Sequence, residues 1–288
     1  MALNKNVSTF VGCDKEYEDS HIVLFGAPFE STTSFRPGTR FGPSAIRAES
    51  IGLETYSPYQ DYDLVQCSIF DSGDLVLPFG SAERALEEIY QRSKEIVEDE
   101  KVPFMIGGEH TVTFGSVRAV FEKYPDLHII HFDAHTDLRD TYYGEWFSHA
   151  TVLKRCYDLV GDGKIFHFGL RSGARDEFVF AEQHNYIEKS TCATLTDILP
   201  NLGEVPVYIT IDLDVLDPSH FPGTGTPEAG GISFMDLLHS VIHMSHLRVV
   251  GMDINELSPI YDHSGASTAL ACKITREALI ALSKNRLR

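Results

Sequence analysis

The sequence predicts an α/β fold built on a parallel sheet, and three observations carry that prediction. Short apolar runs recur along the chain and are continuous rather than alternating, as in strands covered on both faces. The stretches between several of them have helical periodicity. Strand alternating with helix implies crossover connections, which join parallel strands. The chain has 288 residues with no repeat, low-complexity tract or linker, so residues 1–288 are expected to form one domain.

The first strand candidate is "HIVLFGAPF" (21–29). A helix is predicted over "SAERALEEIYQRSKEIVEDE" (81–100), where Leu86, Ile89, Tyr90, Ile96 and Val97 fall on one stripe. Strands follow at "VPFMIGG" (102–108), "LHIIHF" (127–132), "KIFHFGL" (164–170) and "VPVYITI" (205–211). In "ISFMDLLHSVIHM" Ser233 is an N-cap candidate with Asp236 three residues on, a form of capping box. A strand at "LRVVGMDI" (247–254) and a helix at "STALACKITREALIALSK" close the chain. Ligand sites in such folds gather at the carboxyl ends of the strands.

Composition narrows the function. The formal net charge of −18 argues against nucleic acid and anionic membranes as partners. It suits cationic substrates or metals, although for charge alone good solubility is the plainer reading. No apolar run approaches the roughly 18 residues of a membrane span. The N-terminal "MALNKNVSTFVGCDKEYED" is too polar for a signal peptide. Cys13, Cys67, Cys156, Cys192 and Cys272 are odd in number and scattered, as expected of free thiols in a reducing cytoplasm.

Three of the predicted strands run out into potential metal ligands. "FMIGGEH" ends in Glu109-His110, "HIIHFDAHTD" in Asp133, His135 and Asp137, and "VYITIDLD" in Asp212 and Asp214. A spacing of two keeps successive side chains of an extended chain on one side. Four aspartates and two histidines with no cysteine suit Mn²⁺, Fe²⁺, Ni²⁺ or Zn²⁺, and the carboxylate excess favours the harder, octahedral end of that range. Four negative charges balance two divalent cations and over-neutralise one, so a binuclear site is expected. A lone D-x-D after a strand more often caps a turn, and a lone G-G-E-H says less still. The weight lies in all three occurring together, each after a strand.

These motifs carry a family resemblance. "GGEH" (107–110), "DAHTDLRD" (133–140), "SHATV" (148–152), "DLDVLDPSHFPGTGTPEAGGIS" (212–233) and "MDINELSPIYD" (252–262) resemble the ureohydrolase family of arginase and agmatinase, as does "RPGTRFGPSAIR" (36–47). The match runs through most of the chain. The resemblance implies a three-layer α/β/α arginase-type fold with a central parallel sheet, two Mn²⁺ ions per chain, hydrolysis of a guanidino group to urea and an amine, and a homo-oligomer, trimer or hexamer. It implies that His110, Asp133, Asp137 and Asp212 hold one ion and Asp133, His135, Asp212 and Asp214 the other, with Asp133 and Asp212 bridging. Glu256 matches the residue that grips the guanidinium, Asp137 the proton relay, and His149 an active-site histidine acting as shuttle or substrate contact.

Elementary chemistry agrees with that implication. Two metals sharing a water can lower its pKa from 15.7 towards about 7. A carboxylate accepting two N–H bonds holds a guanidinium planar beside it. Read alone, Glu256 would be a surface or capping glutamate, and His149 a cap or packing residue before an apolar helix. His128, His131 and His167 lie inside strand patterns and read as satisfied sheet residues rather than ligands. Position 139 is Arg where arginases usually carry an Asn that grips the substrate carboxylate, and position 150 is Ala where relatives often carry Gly. "SPIYD" and "GTGTPEAGG" look agmatinase-like. The expected substrate is therefore a small cationic guanidino compound, agmatine first, with Arg139 pointing out of the pocket. Within the family the alternatives are a guanidino-acid hydrolase or an arginase. Outside it they are a single-Zn²⁺ deacetylase on the same fold or a non-catalytic binding protein.

Overall fold

A computed structural model describes residues 8–285. Residues 1–7 of the polar N-terminal stretch lie outside the described residues. Ten strands and eight α-helices are found among those that are described. The strands are β1 (Ile22–Ala27), β2 (Tyr56–Ser57), β3 (Tyr62–Asp63), β4 (Ile69–Asp74), β5 (Val102–Gly107), β6 (His128–Phe132), β7 (Ile165–Leu170), β8 (Tyr186–Lys189), β9 (Val207–Asp212) and β10 (Val249–Asn255). The helices are α1 (Gly42–Ser50), α2 (Ala82–Glu98), α3 (Thr113–Lys123), α4 (Val152–Val160), α5 (Arg175–His184), α6 (Leu195–Leu202), α7 (Phe234–Met244) and α8 (Ala266–Asn285).

β2 and β3 form a small antiparallel pair. The other eight strands make one sheet in the order β4-β1-β5-β10-β9-β6-β7-β8, with every pairing parallel. Each apolar run read from the sequence coincides with one of these strands, β9 and β10 running one residue further, to Asp212 and Asn255. Alternate residues of a strand enter different cores: Ile22 and Leu24 pack with Ile46 of α1 and Ala278 of α8, whereas Val23 and Phe25 pack with Ala85 and Ile89 of α2. The helices therefore cover both faces. α1, α6, α7 and α8 contribute to one core, and α2 to α5 to the cores on the other face. This is a three-layer α/β/α architecture. Ser233 caps α7 as the sequence suggested, with Asp236 completing the capping box.

The order of the sheet explains where a site can form. The chain builds outward from β1 through β5, then fills the far half, and returns to insert β9 and β10 between β5 and β6. The carboxyl ends of β5, β10, β9 and β6 thus lie side by side at the centre. Open α/β sheets hold ligands where strand order reverses in this way. No helix among the described residues is long and apolar enough to cross a membrane.

Candidate metal centre

Four neighbouring strand ends supply the site. His110 follows β5, Asp133, His135 and Asp137 follow β6, Asp212 ends β9 with Asp214 two residues on, and Glu256 follows β10. His110 Nδ1 lies 3.2 Å from Asp133 Oδ2, 3.1 Å from Asp137 Oδ2 and 3.6 Å from Asp212 Oδ2. His135 Nδ1 lies 3.4 Å from Asp133 Oδ1 and 3.0 Å from Asp214 Oδ2. The two oxygens of Asp133 therefore face two different imidazoles. All these side chains are buried except that of His135, which is partly exposed.

The local backbone is unusual here. Asp137 and Glu256 adopt left-handed conformations, with φ of 52° and 67°. Non-glycine residues in this region persist only when their surroundings hold them, and they cluster at functional sites. The Asp137 carbonyl accepts the N–H groups of Leu153 and Lys154 in the first turn of α4. Glu256 donates its N–H to Gly108 O at 3.0 Å, and its Oε1 accepts the His110 N–H at 2.7 Å. The ends of β5 and β10 are thereby joined through the two residues that face the cavity.

Burial and mutual repulsion set the protonation of the metal-free cluster. Burial, with Asp214 and Asp133 adding to it, raises the Asp212 carboxyl well above its ordinary range. Burial first, then Asp133, pushes Asp137 up to about 7. Burial raises Glu256 well above the usual glutamate value, against the His110 N–H that favours its ionised form. Burial opposes charge on Asp133 too, but hydrogen bonds from His110, His131 and His135 outweigh it and hold that carboxyl well below its usual range. Burial disfavours protonated His110 and His135, yet their carboxylate partners win and raise both well above the usual imidazole value. Without ions, protons on two imidazoles compensate the carboxylates.

The donor set fits a pair of divalent ions. Donor atoms of Asp133, His135 and Asp214 fall within 4.8 Å of one another, as do those of His110, His131 and Asp133. His131 belongs to the second group by distance, but both of its ring nitrogens already have protein partners: Asp133 Oδ2 at 2.9 Å and His167 Nδ1 at 2.8 Å. A neutral imidazole bonded at both nitrogens has no lone pair left for an ion. Asp137 and Asp212, whose oxygens approach the same His110 nitrogen, could complete that position instead. The remaining nitrogen of His110, Nε2, lies 2.9 Å from Thr210 Oγ1, which donates to Asp253 at 2.6 Å. Such a chain fixes which imidazole nitrogen faces the ligands.

Several residues occupy positions the sequence did not reveal. Glu109, grouped above with potential ligands, turns away from the cluster. Its buried carboxylate accepts the N–H groups of Ser31 and Thr32 and the hydroxyls of Thr32, Thr33 and Thr111. Thr32 in turn accepts the His149 N–H at 3.1 Å and lies 3.3 Å from His149 Nδ1. His149 begins a 3-10 turn held by a Ser148–Thr151 capping box and lines the cavity, and burial lowers its imidazole below the ordinary value. Arg171 spans the loop after β9 and donates to the carbonyls of Asp214, Val215 and Glu228.

Arg139 is a correction. The expectation that it points out of the pocket fails, because it lines the same cavity of about 310 Å³ as His110, His135, Asp137, His149 and Glu256. Its Nε lies 3.3 Å from Glu177 Oε2, and its guanidinium stacks over the Tyr142 ring with 4.7 Å to the centroid. Glu177 is fixed in turn by the Thr136 hydroxyl and the Ala174 N–H. A buried carboxylate and an aromatic face hold the arginine at the cavity wall, with part of its side chain still open to solvent.

Comparison with known proteins shows what the chain as a whole is similar to. The sequence model of the arginase family matches residues 20–281. The agmatinase of Bacillus subtilis is 47% identical over 279 residues, covering 96% of this chain and 96% of that protein. The N(1)-aminopropylagmatine ureohydrolase of Thermococcus kodakarensis is 34% identical, covering 93% of each chain. Among solved structures, that of a Clostridium difficile protein assigned as an agmatinase superposes with a TM-score of 0.92 at 51% identity, covering 95% of this chain and all of that one.

Proposed function

The chain belongs to the arginase family, and from that premise we propose that this agmatinase-type ureohydrolase hydrolyses agmatine to putrescine and urea with two Mn²⁺ ions per chain. One observation carries the proposal. Two imidazoles sit on opposite oxygens of a shared carboxylate, Asp133, in the cavity that also exposes Glu256. In this reading His110, Asp133, Asp137 and Asp212 hold one ion, Asp133, His135, Asp212 and Asp214 hold the other, and residues 1–288 act as a single domain. The soft thiolate ligands that would favour other metals are missing from the donor set, and its carboxylate majority supports Mn²⁺.

When bound, two divalent ions supply Lewis-acid charge that lowers the pKa of a shared water. Everything else falls to the protein's own side chains. Glu256 would accept two N–H groups of the guanidinium and hold it planar. A cation in that position also restores charge to a carboxyl that burial has raised. Water adds to the guanidinium carbon, the bond to the alkyl nitrogen breaks, and both protons of the water end on the leaving amine, which departs as an ammonium beside neutral urea, so at least one proton must be relayed. Asp137, beside His110 and open to the cavity, can accept that proton and hand it on. His149, held by Thr32, contacts the substrate or shuttles a proton.

Arg139 gives a second reading its footing, because an arginine in the cavity wall could receive a carboxylate and favour a guanidino acid. Its pairing with Glu177 argues for agmatine. The pair is neutral overall, and the guanidinium is already engaged on one side and stacked on Tyr142. Urea release after Mn²⁺ loading, measured on agmatine, arginine and 4-guanidinobutyrate, decides the matter. Agmatine is expected to exceed arginine in kcat/KM by on the order of a hundredfold, the value of one well-placed charge. Preference for guanidinobutyrate, lost in Arg139→Ala, would establish the second reading. A cytoplasmic setting is supported by five free cysteines. A homo-oligomer of three or six chains belongs to the same proposal, with Val76 and Phe79, apolar side chains almost wholly exposed, as candidate contacts, and a solution mass tests it.

A further inference from the structure

We infer that His131, His167 and Asn185 form a one-way hydrogen-bond chain that positions Asp133, with Asn185 at the far end supplying the donor that completes it. This inference rests on the reading of Asp133 as a ligand shared by two ions. The chain crosses from the metal centre into the sheet. His131 and His167 are register partners on β6 and β7. His131 Nε2 lies 2.9 Å from Asp133 Oδ2, His131 Nδ1 lies 2.8 Å from His167 Nδ1, and His167 Nε2 lies 3.1 Å from Asn185 Nδ2. Both rings are completely buried, and Asn185 is half-buried at the carboxyl end of α5.

Each proton position follows from the one before it. An ionised Asp133 can only accept, so His131 must carry its proton on Nε2. Neutral His131 then has a lone pair on Nδ1, and His167 must donate from its own Nδ1. That leaves a lone pair on His167 Nε2, which needs a donor. The Asn185 amide presents its NH₂ there, although its Oδ1 then meets no partner. An amide turned at the cost of its own acceptor fits a donor demanded by its neighbour. The outcome is a fixed N–H aimed at Oδ2 of Asp133, the oxygen that faces His110. Outer partners of this kind hold a ligand's orientation, and their loss typically costs about 10–100-fold in metal affinity.

Two experiments test the chain. In the full-length, metal-free protein labelled with ¹⁵N-histidine, ring nitrogen shifts should report His131 protonated at Nε2 and His167 at Nδ1. The opposite tautomer at either ring overturns the proposal, as does a His131 nitrogen that becomes metal-bound when Zn²⁺ is added. The second experiment titrates Mn²⁺ into wild type, Asn185→Ala and Asn185→Asp. Ala removes the donor but leaves Nε2 free to accept from water, so affinity should change less than about threefold. Asp puts an acceptor where a donor is required and reverses the chain, so affinity should fall about tenfold or more. A negative charge acting only through space would tighten cation binding, so weakening is the signature of the chain. Unchanged or tighter binding in Asn185→Asp overturns it. Wild-type protein that takes up no divalent ion would instead remove the binuclear reading, and the metal-free NMR arm would still decide the chain.

Discussion

Asp133 is the residue on which the site turns, because its two oxygens face His110 and His135 separately. Removing charge from a shared carboxylate should affect both ions, whereas Asp214 touches His135 alone of the two imidazoles. Asp133→Asn and Asp212→Asn are therefore expected to lose second-metal occupancy and turnover together, and more severely than Asp214→Asn. Metal content per chain and urea release, measured on the same samples, check this; equal losses in all three variants would count against the shared assignment. Glu256→Gln tests a different step. The amide keeps the size and loses the charge, so agmatine turnover should drop by two or more orders of magnitude while metal content holds, since hydrogen bonds to charged groups contribute about 1.5–3 kcal/mol and a buried guanidinium left unpaired costs more. Metal lost along with activity would make Glu256 a support of the centre instead. The aspartates were legible because spacing and strand ends are written in the sequence, whereas Glu256 was legible only through the family motif around it. The direction of a side chain is not. Glu109 stands next to His110 yet serves the 31–33 loop, His131 lies in a strand pattern yet bonds Asp133, and Arg139 enters the cavity because Glu177, 38 positions along the chain, draws it there.

At the scale of elements, the strand ends work only because the backbone crosses closely at β5. A Cβ on Gly108 would collide with the Phe29 backbone carbonyl, and the Gly108 N–H and C=O are both used, by Ala27 and Glu256. Gly108→Ala should therefore destabilise the fold by about 1–3 kcal/mol, as overpacking does, and reduce turnover by shifting His110 and Glu256 together. Thermal unfolding and kinetics of the variant check both effects; a variant as stable as wild type would show that the Phe29 backbone, just beyond β1, yields to the methyl. Most sheet strands were legible as apolar runs, but β4 and β8 were not. β4 reads "IFDSGD" because it is an edge strand whose Asp71 and Asp74 pair with Arg47 of α1 rather than with the sheet core. β8, "YIEK", lies at the other edge and is short and half-exposed. Helix α3 was hidden by Gly115, which weakens helical propensity. A Cβ at Gly115 would press on the Leu86 carbonyl and Ile89 of α2, so the glycine serves helix packing that no single segment reveals.

For the whole molecule, metal and proton compete for the same buried cluster, and the sign of that competition can be worked out. In the metal-free fold His110 and His135 are raised above the ordinary imidazole value, so their contribution to stability is complete below the unfolded value of about 6.5 and is lost as pH rises through the higher folded values. Asp137, raised to about 7, and Asp212 and Glu256, also raised, act in the same direction. Their contributions are whole below the unfolded carboxyl values and fade as pH climbs. Asp133 is held low, so its contribution is present above its unfolded value and is lost only as pH falls through the lower folded one. The metal-free protein should therefore lose stability as pH rises from about 4, where the raised carboxyls begin to ionise in the unfolded chain, and further above about 6.5, where the two imidazoles follow. Ligand imidazoles must be neutral and ligand carboxylates ionised, so ion binding expels these protons and tightens as pH rises. An ion at a hundred times its Kd adds about 2.7 kcal/mol per site. The gap in Tm between Mn²⁺-loaded and chelator-treated protein is thus expected to widen with pH, with urea release abolished in the chelated sample and two ions per chain in the active one. Thermal scans across that range check it. A gap that narrows as pH rises would mean that protons and metal do not share the cluster, and the protonated histidines would need another origin.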